Sequence, residues 1–439
     1  MNTTYGCRAD IISGLEEVIN YQFETYNIDP GFPETVEKLG EKDVPAAPCS
    51  CRRDFRGENA LTIDCADCKD MDDAVSISRM SSGYRLAVHI ADVGAYIPVG
   101  SELDSVAAYR ATSIYLPGLT VPMLPKVLSN DLCSLNPGVD RNTLSVIVRL
   151  DADGNVISSR ITKGLIRSRV KGVYSEVNAI LSGKSDGQLA KKYADVMDEL
   201  FVMAELYRLL RKARIQSGAT VADSNKPKIA VSRYDVTLTP TKEGVAENMI
   251  EEFMVLANRI VAEYLYENDL PAIFRTQEAK NHMAAYQPVK DRHAELALES
   301  YSHFTSPIRR VADLKIHQIL TMHLDGASND EIRTLFEESL VYVCDRATKR
   351  SRTAKQIQDK CERYCYEQYF RIHRNDTYTG TMVGYDRRNR PIVQINDYNI
   401  RIIGYAMING SVGDCYSFRV GINNNRNELI ASRVRKLAA

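Results

Sequence analysis

Between Leu61 and Ala74 the chain reads Leu-Thr-Ile-Asp-Cys-Ala-Asp-Cys-Lys-Asp-Met-Asp-Asp-Ala, which puts Asp64, Asp67, Asp70, Asp72 and Asp73 within ten positions. Any fold that gathers these carboxylates must answer for their repulsion. Two like charges about 4 Å apart repel by roughly 4 kcal/mol at an effective dielectric of about 20. Converging carboxylates raise one another's pKa values unless a cation compensates. Oxygen-only ligation with no nearby His suits a hard ion, magnesium or manganese, rather than zinc. Leu61-Thr62-Ile63 reads as a short buried strand that delivers Asp64 at its end. A solvated acidic turn is the other reading of the same residues.

At 439 residues, with 44% apolar and 26% charged side chains, the chain has the composition of a globular protein large enough for more than one domain. No apolar run reaches the eighteen or so residues of a membrane-spanning helix. The first ten residues lack the basic-then-apolar layout of a secretory signal, so a cytoplasmic protein is expected. Net charge is −1, but the chain is acidic in front and basic behind. That asymmetry suits a polyanion held at one end and cut at the other, and equally suits uneven solvated faces.

Apolar spacing predicts a helix over 11–28, one helical period from Leu189 to Leu210, and a helix from Met249 to Leu265. Ser328-Asn-Asp-Glu331 is a capping-box pattern opening a helix to about residue 372. A buried strand and bulge are expected at 84–98, and two further strands, split by the turn Asp151–Gly154, over 143–168. After Asn375, short strands within Tyr378–Tyr385, Pro391–Tyr405 and Tyr416–Ile422 suit a small five-stranded barrel.

A second constellation is Phe304-Thr-Ser-Pro-Ile-Arg-Arg310. Thr305 or Ser306 suits an N-cap and Pro307 a first helical residue. Arg309 and Arg310 would then oppose the helix dipole, which makes sense if they and the free N–H groups share a phosphate; a structural Arg–Asp pair is the alternative. Ten cysteines in such a chain are expected to be reduced thiols. Structural zinc at Cys49, Cys51, Cys65 and Cys68 is the less favoured reading, because the second pair is interleaved with the aspartates. Cys361 and Cys365 lie one turn apart on a helix.

The Asp64, Asp70, Asp72, Asp73 spacing resembles the signature of the ribonuclease II/ribonuclease R (RNB) family of exoribonucleases. So do His89-Ile-Ala-Asp-Val, Tyr115-Leu-Pro-Gly with Val121-Pro-Met-Leu-Pro125, and Leu128-Ser-Asn-Asp-Leu-Cys-Ser-Leu-Asn-Pro137. Glu251-Glu252 with Leu256-Ala-Asn258, and Tyr301–Arg310, complete the set, in family order across about 58–325. The C-terminal strands resemble the family's OB-fold barrel, most clearly at Val412–Val420. The resemblance implies an α+β architecture: a helical segment and linker over 1–57, an RNB catalytic domain over 58–374, and an OB-fold-like RNA-binding barrel over 375–439.

It also implies processive 3′-to-5′ hydrolysis of single-stranded RNA to nucleoside 5′-monophosphates with Mg2+, Mn2+ being possible. Asp64, Asp70 and Asp73 would hold the metal ions, Asp72 would be the critical carboxylate, and Arg309 would neutralise the scissile phosphate. Tyr115 and Tyr174 match aromatics placed against bases, and Glu251 or Glu252 a position contacting the terminal nucleotide. Arg275, His293, Ser306 and Arg310 complete the implied RNA-binding set. No membrane partner is implied. The chain departs from the family in having no cold-shock barrels before residue 58 and only a short link, Glu278–Ala285, where members carry a longer insertion. The rival readings are an RNB-fold RNA-binding protein that has lost turnover, and a nuclease dedicated to trimming RNA 3′ ends.

Overall fold

The computed structural model describes residues 10–39, 52–221, 226–278, 283–407, 409–426 and 428–437. Its centre is a five-stranded sheet in the order Arg53–Asp54, Val156–Arg167, Asp140–Asp151, Gly83–Ala91, Asp73–Met80. All neighbours are antiparallel except the first pair. The Gly83–Ala91 strand is almost wholly buried, as its β-branched and small residues predict. It ends at Ala91 rather than near residue 98, where the chain turns through Val93–Ala95.

Helices Met197–Gln216, Val245–Glu267 and Val311–Leu324 share one large core with this sheet. The helical period from Leu189 does not run unbroken: helix Gly187–Lys192 stops before Tyr193, and Met197–Gln216 starts afresh. Tyr193 is fully buried; its hydroxyl accepts the Val173 N–H at 2.9 Å and lies 2.6 Å from Glu176 Oε2. Those distant bonds override the local period.

The capping box at Ser328 is present, and the helix it opens runs Asn329–Ile372. Its first half buries Ile332, Phe336, Leu340 and Val343 in the main core. Its second half buries Ile357, Cys361, Cys365 and Phe370 in a second core. That second core also takes in helix Ile11–Tyr26, hairpins Ile114–Val121 and Lys228–Thr239, and the C-terminal strands. The strands close into a five-stranded barrel in the order Tyr378–Tyr385, Pro391–Ile395, Arg401–Ile403, Glu428–Lys436, Cys415–Asn423. The stretch Pro391–Tyr405 supplies two of the strands, Pro391–Ile395 and Arg401–Ile403. Among the described residues, no helix is long and apolar enough to cross a membrane.

The two ends of the long helix differ in energetic weight. Phe336→Ala removes a fully buried ring and is expected to cost about 3–5 kcal/mol, while Ser328→Ala removes only a cap and costs about 1 kcal/mol. Urea unfolding midpoints of the two variants check the ordering.

Candidate functional site

Leu61, Thr62 and Ile63 are completely buried, and Thr62–Asp64 pairs in parallel with Lys171–Val173. A Cβ on Gly172 would lie 2.5 Å from Thr62 O, so only glycine permits this close pairing. Asp64 is thereby set beside Val173, and Tyr174 follows at once. Leu61 also bridges to Val75, which brings the start of the Asp73–Met80 edge strand to the same place.

The intervening loop is held from three sides. Lys171 Nζ donates to Ala66 O at 3.2 Å and Cys68 O at 2.5 Å. Lys228 pairs with Asp67 at 3.3 Å. Ser134 Oγ accepts the Met71 N–H at 3.2 Å and donates to Lys69 O at 2.8 Å, while Leu135 N donates to Met71 O. These clamps explain what the Leu128–Pro137 segment does.

Asp72 is 3% exposed and accepts the Ile308 N–H at 2.8 Å and Arg309 Nε at 3.3 Å. Burial pushes its pKa up to about 7, against the pull of Arg309 and the Ile308 N–H. Burial, and then the charges of Asp64 and Asp72, raise Asp73 well above the ordinary carboxylate range. Asp64 is pushed up to about 6 by burial and by Asp70, with Arg309 opposing, and its Oδ2 is buried without a partner. Asp70 accepts the Tyr115 hydroxyl at 2.6 Å and the Cys68 thiol at 3.6 Å. Four carboxylates therefore feel one another's charge, as their spacing predicts.

That unmatched buried oxygen and the all-oxygen donor set fit a hard divalent cation. Among the described residues, no three His, Cys, Asp or Glu side chains are yet placed to hold one. Asp70 and Asp72 are engaged by Tyr115, Ile308 and Arg309 instead. Cys49 and Cys51 lie outside the described residues, and Cys65 and Cys68 are free thiols.

The Thr305–Arg310 segment corrects one expectation. The helix starts at Val311, not Pro307, and Arg310 rather than Thr305 or Ser306 stands at its N-cap position, without a side-chain cap. The cause is Asp313, fully buried in the first turn, which reaches back to the Ser306 N–H at 2.8 Å and grips Arg310 through contacts of 2.6 and 2.9 Å. Arg310 is thus the structural Arg–Asp pair. Arg309 differs: its side chain is 42% exposed, and its Nε and Nη2 donate to Asp72 at 3.3 Å and to Ser306 Oγ at 2.9 Å. Asp313 was not singled out in the sequence, although its i, i+3 spacing from Arg310 was there to be read.

The remaining residues fall into three places. Tyr115 is 40% exposed, and Tyr174 stands at the first position of helix Tyr174–Leu181, its hydroxyl held high by burial and the Asp73 and Asp64 charges. Glu252, almost fully buried, is held by Arg211 and Arg214 at 2.9 and 2.8 Å, and Glu251 by Arg214 at 2.6 Å. Glu252 also lines a cavity of about 320 Å3 with Leu256, Arg259 and Leu298, in which none of the aspartates takes part. Arg275 lies 4.4 Å above the Tyr286 ring, and His293 meets Tyr301 edge-on. Burial lowers the His293 pKa to about 4, and burial with Arg310 and Arg275 keeps His303 neutral 2.7 Å from the Tyr286 hydroxyl.

The RNB domain profile matches residues 52–285 and 281–326 of the chain. Ribonuclease R 1 of Lactococcus lactis is 30% identical over 416 residues, 81% of this chain and 51% of that protein. Ribonuclease R of Thermotoga maritima is 33% identical over 398 residues, 75% of this chain and 55% of that one. This chain thus spans about half the length of both relatives. Among solved structures, the apo form of Mycoplasma genitalium RNase R superposes with a TM-score of 0.81 at 23% identity, covering 96% of this chain and 78% of that one. The same protein in complex with ribose methylated single-stranded RNA gives 0.78 at 22% identity, covering 98% and 75%.

Asp313→Ala leaves the Arg310 guanidinium without its counter-charge, a loss expected to cost about 3–5 kcal/mol. Thermal unfolding checks the stability, and faster amide exchange at Ser306 checks that the turn has lost its anchor.

Proposed function

Because the chain belongs to the RNB-domain family, we propose that it is a 3′-to-5′ exoribonuclease that hydrolyses single-stranded RNA to nucleoside 5′-monophosphates with Mg2+ or Mn2+. The observation that carries this reading is the junction at Asp72. One buried carboxylate ties the acidic loop to the Ile308–Arg309 backbone and guanidinium, so carboxylates and a phosphate-binding cation face the same point.

Asp64, Asp70 and Asp73 are the residues that would hold the metal ions; Asp70 must first leave the Tyr115 hydroxyl. The bound ions would lower the pKa of water and stabilise the oxygens entering and leaving phosphorus. Arg309 would turn the guanidinium donors that Asp72 and Ser306 leave free to the scissile phosphate, where a planar fork matches two oxygens. Ser306 Oγ and Asp72 fix the other side of that fork, so its orientation is set before RNA arrives. Water attacks phosphorus and the bond to the ribose 3′ oxygen breaks, which leaves the phosphate on the 5′ side of the released nucleoside. Tyr115 and Tyr174 flank the aspartates and offer rings against which any base stacks, consistent with a sequence-tolerant enzyme. Arg310, paired to Asp313, supports this site by holding the turn. The basic barrel supplies further phosphate contacts.

Incubating 5′-labelled single-stranded RNA with the protein and magnesium tests the reading. A descending ladder that ends in a short core is expected; intact RNA points to a fold that only binds, and one internal cut to a different nuclease.

Asp72→Asn keeps shape but removes the charge that orients Arg309. A loss of roughly 4–5 kcal/mol in transition-state stabilisation slows hydrolysis about a thousandfold or more, with RNA binding retained. Single-turnover rates beside filter-binding affinities check it. For Arg309→Lys, charge survives without the fork, so turnover falls much more than affinity. Equal loss in binding with unchanged turnover would reduce Arg309 to simple grip.

A further inference from the structure

Cys65 and Cys68 stand at the two ends of the turn that separates Asp64 from Asp70. The Cys68 N–H donates to Cys65 O at 3.1 Å, closing a hydrogen-bonded four-residue turn over Ala66 and Asp67. The ends of such a turn lie within about 7 Å of each other, and a disulfide spans Cα atoms about 4.4–6.8 Å apart. Lys171 and Lys228 hold the turn by its carbonyls and by Asp67, so its ends stay together. Cys65 is exposed and Cys68 partly so. Buried Cys133, Cys344, Cys361 and Cys365 have no such access.

We propose that Cys65 and Cys68 are a thiol modification site, which a low-molecular-weight disulfide converts to an intramolecular disulfide inside the acidic loop. The Cys65 sulfur, as thiolate, attacks one sulfur of the small disulfide, whose S–S bond breaks and releases one thiolate. Cys68 then loses its proton and displaces the second thiolate from the mixed disulfide. Two protein thiols are oxidised, one small disulfide is reduced, and the two cysteine protons end on the two small thiols.

The bridge has a consequence for Asp70. In the dithiol, Cys68 Sγ donates to Asp70 Oδ1 at 3.6 Å. In the disulfide that proton is gone and the sulfur is drawn towards Cys65, so Asp70 loses a contact on the side opposite Tyr115. The effect on RNA hydrolysis rests on the function proposed above; formation of the disulfide does not.

The test is incubation of the folded chain with excess glutathione disulfide, alkylation of remaining thiols, and peptide mapping by mass spectrometry. A Cys65–Cys68 linked peptide, two hydrogens lighter and reversed by dithiothreitol, is expected in the wild type and not in Cys65→Ser. Circular dichroism confirms that both stay folded. A lasting glutathione adduct on Cys65, a link from either residue to Cys49 or Cys51, or no link at all would overturn the proposal. In parallel, oxidised wild type should cleave RNA about tenfold more slowly than the reduced form, the scale of one hydrogen bond to a charged group, while Cys65→Ser should be indifferent to oxidant. An unchanged rate in mapped, oxidised protein would refute the effect on Asp70. If neither form cleaves RNA, the function proposed above fails, and the peptide map still decides the disulfide.

Discussion

Asp72 is the point on which the site depends. Its carboxylate joins residues 236 positions apart, accepting the Ile308 N–H with one oxygen and Arg309 with the other. An isolated carboxylate this deeply buried would shed its charge, as the upward pull of burial shows. The N–H and the guanidinium oppose that pull, and the loop carrying them is in turn fixed by Asp313. The order of support runs inward: a fully buried Asp313 shapes the turn, the turn presents Arg309, and Arg309 keeps Asp72 in place.

Asp70 leans on Tyr115 and Cys68, but Asp64 and Asp73 are not supported in this way. Asp64 has a buried oxygen with no partner, and Asp73 faces two like charges. The sheet register sets Asp73 at a strand start and the parallel pairing with Lys171–Val173 sets Asp64 at a strand end, so backbone bonds hold together charges that would otherwise spread. The fold is thus stable in spite of the site rather than because of it, a pattern common where function demands strain.

Much of this was legible in the sequence, where the signal was local. The capping box at Ser328 named both the start and the kind of a 44-residue helix, and alternating β-branched segments named the two long strands. The aspartate spacing named the cluster. What could not be read were bonds between distant residues. The break at Tyr193 comes from its hydroxyl bonding to Val173 and Glu176, and Asp70 is turned by Tyr115, 45 positions away. The late start at Val311 is a closer case. Thr-Ser-Pro satisfies every local rule for a helix start, yet Asp313 claims the Ser306 N–H first.

The long helix has one more consequence. At about 1.5 Å per residue its 44 residues reach about 66 Å, and it is rooted in both hydrophobic cores. It works as a lever arm. A tilt of only about 3° at the end packed against helix Val311–Leu324 would carry the far end, and the barrel resting on it, through about 3 Å. The hairpin that bears Tyr115 packs in the same far core, so the barrel and the aromatic beside Asp70 are fastened to one beam.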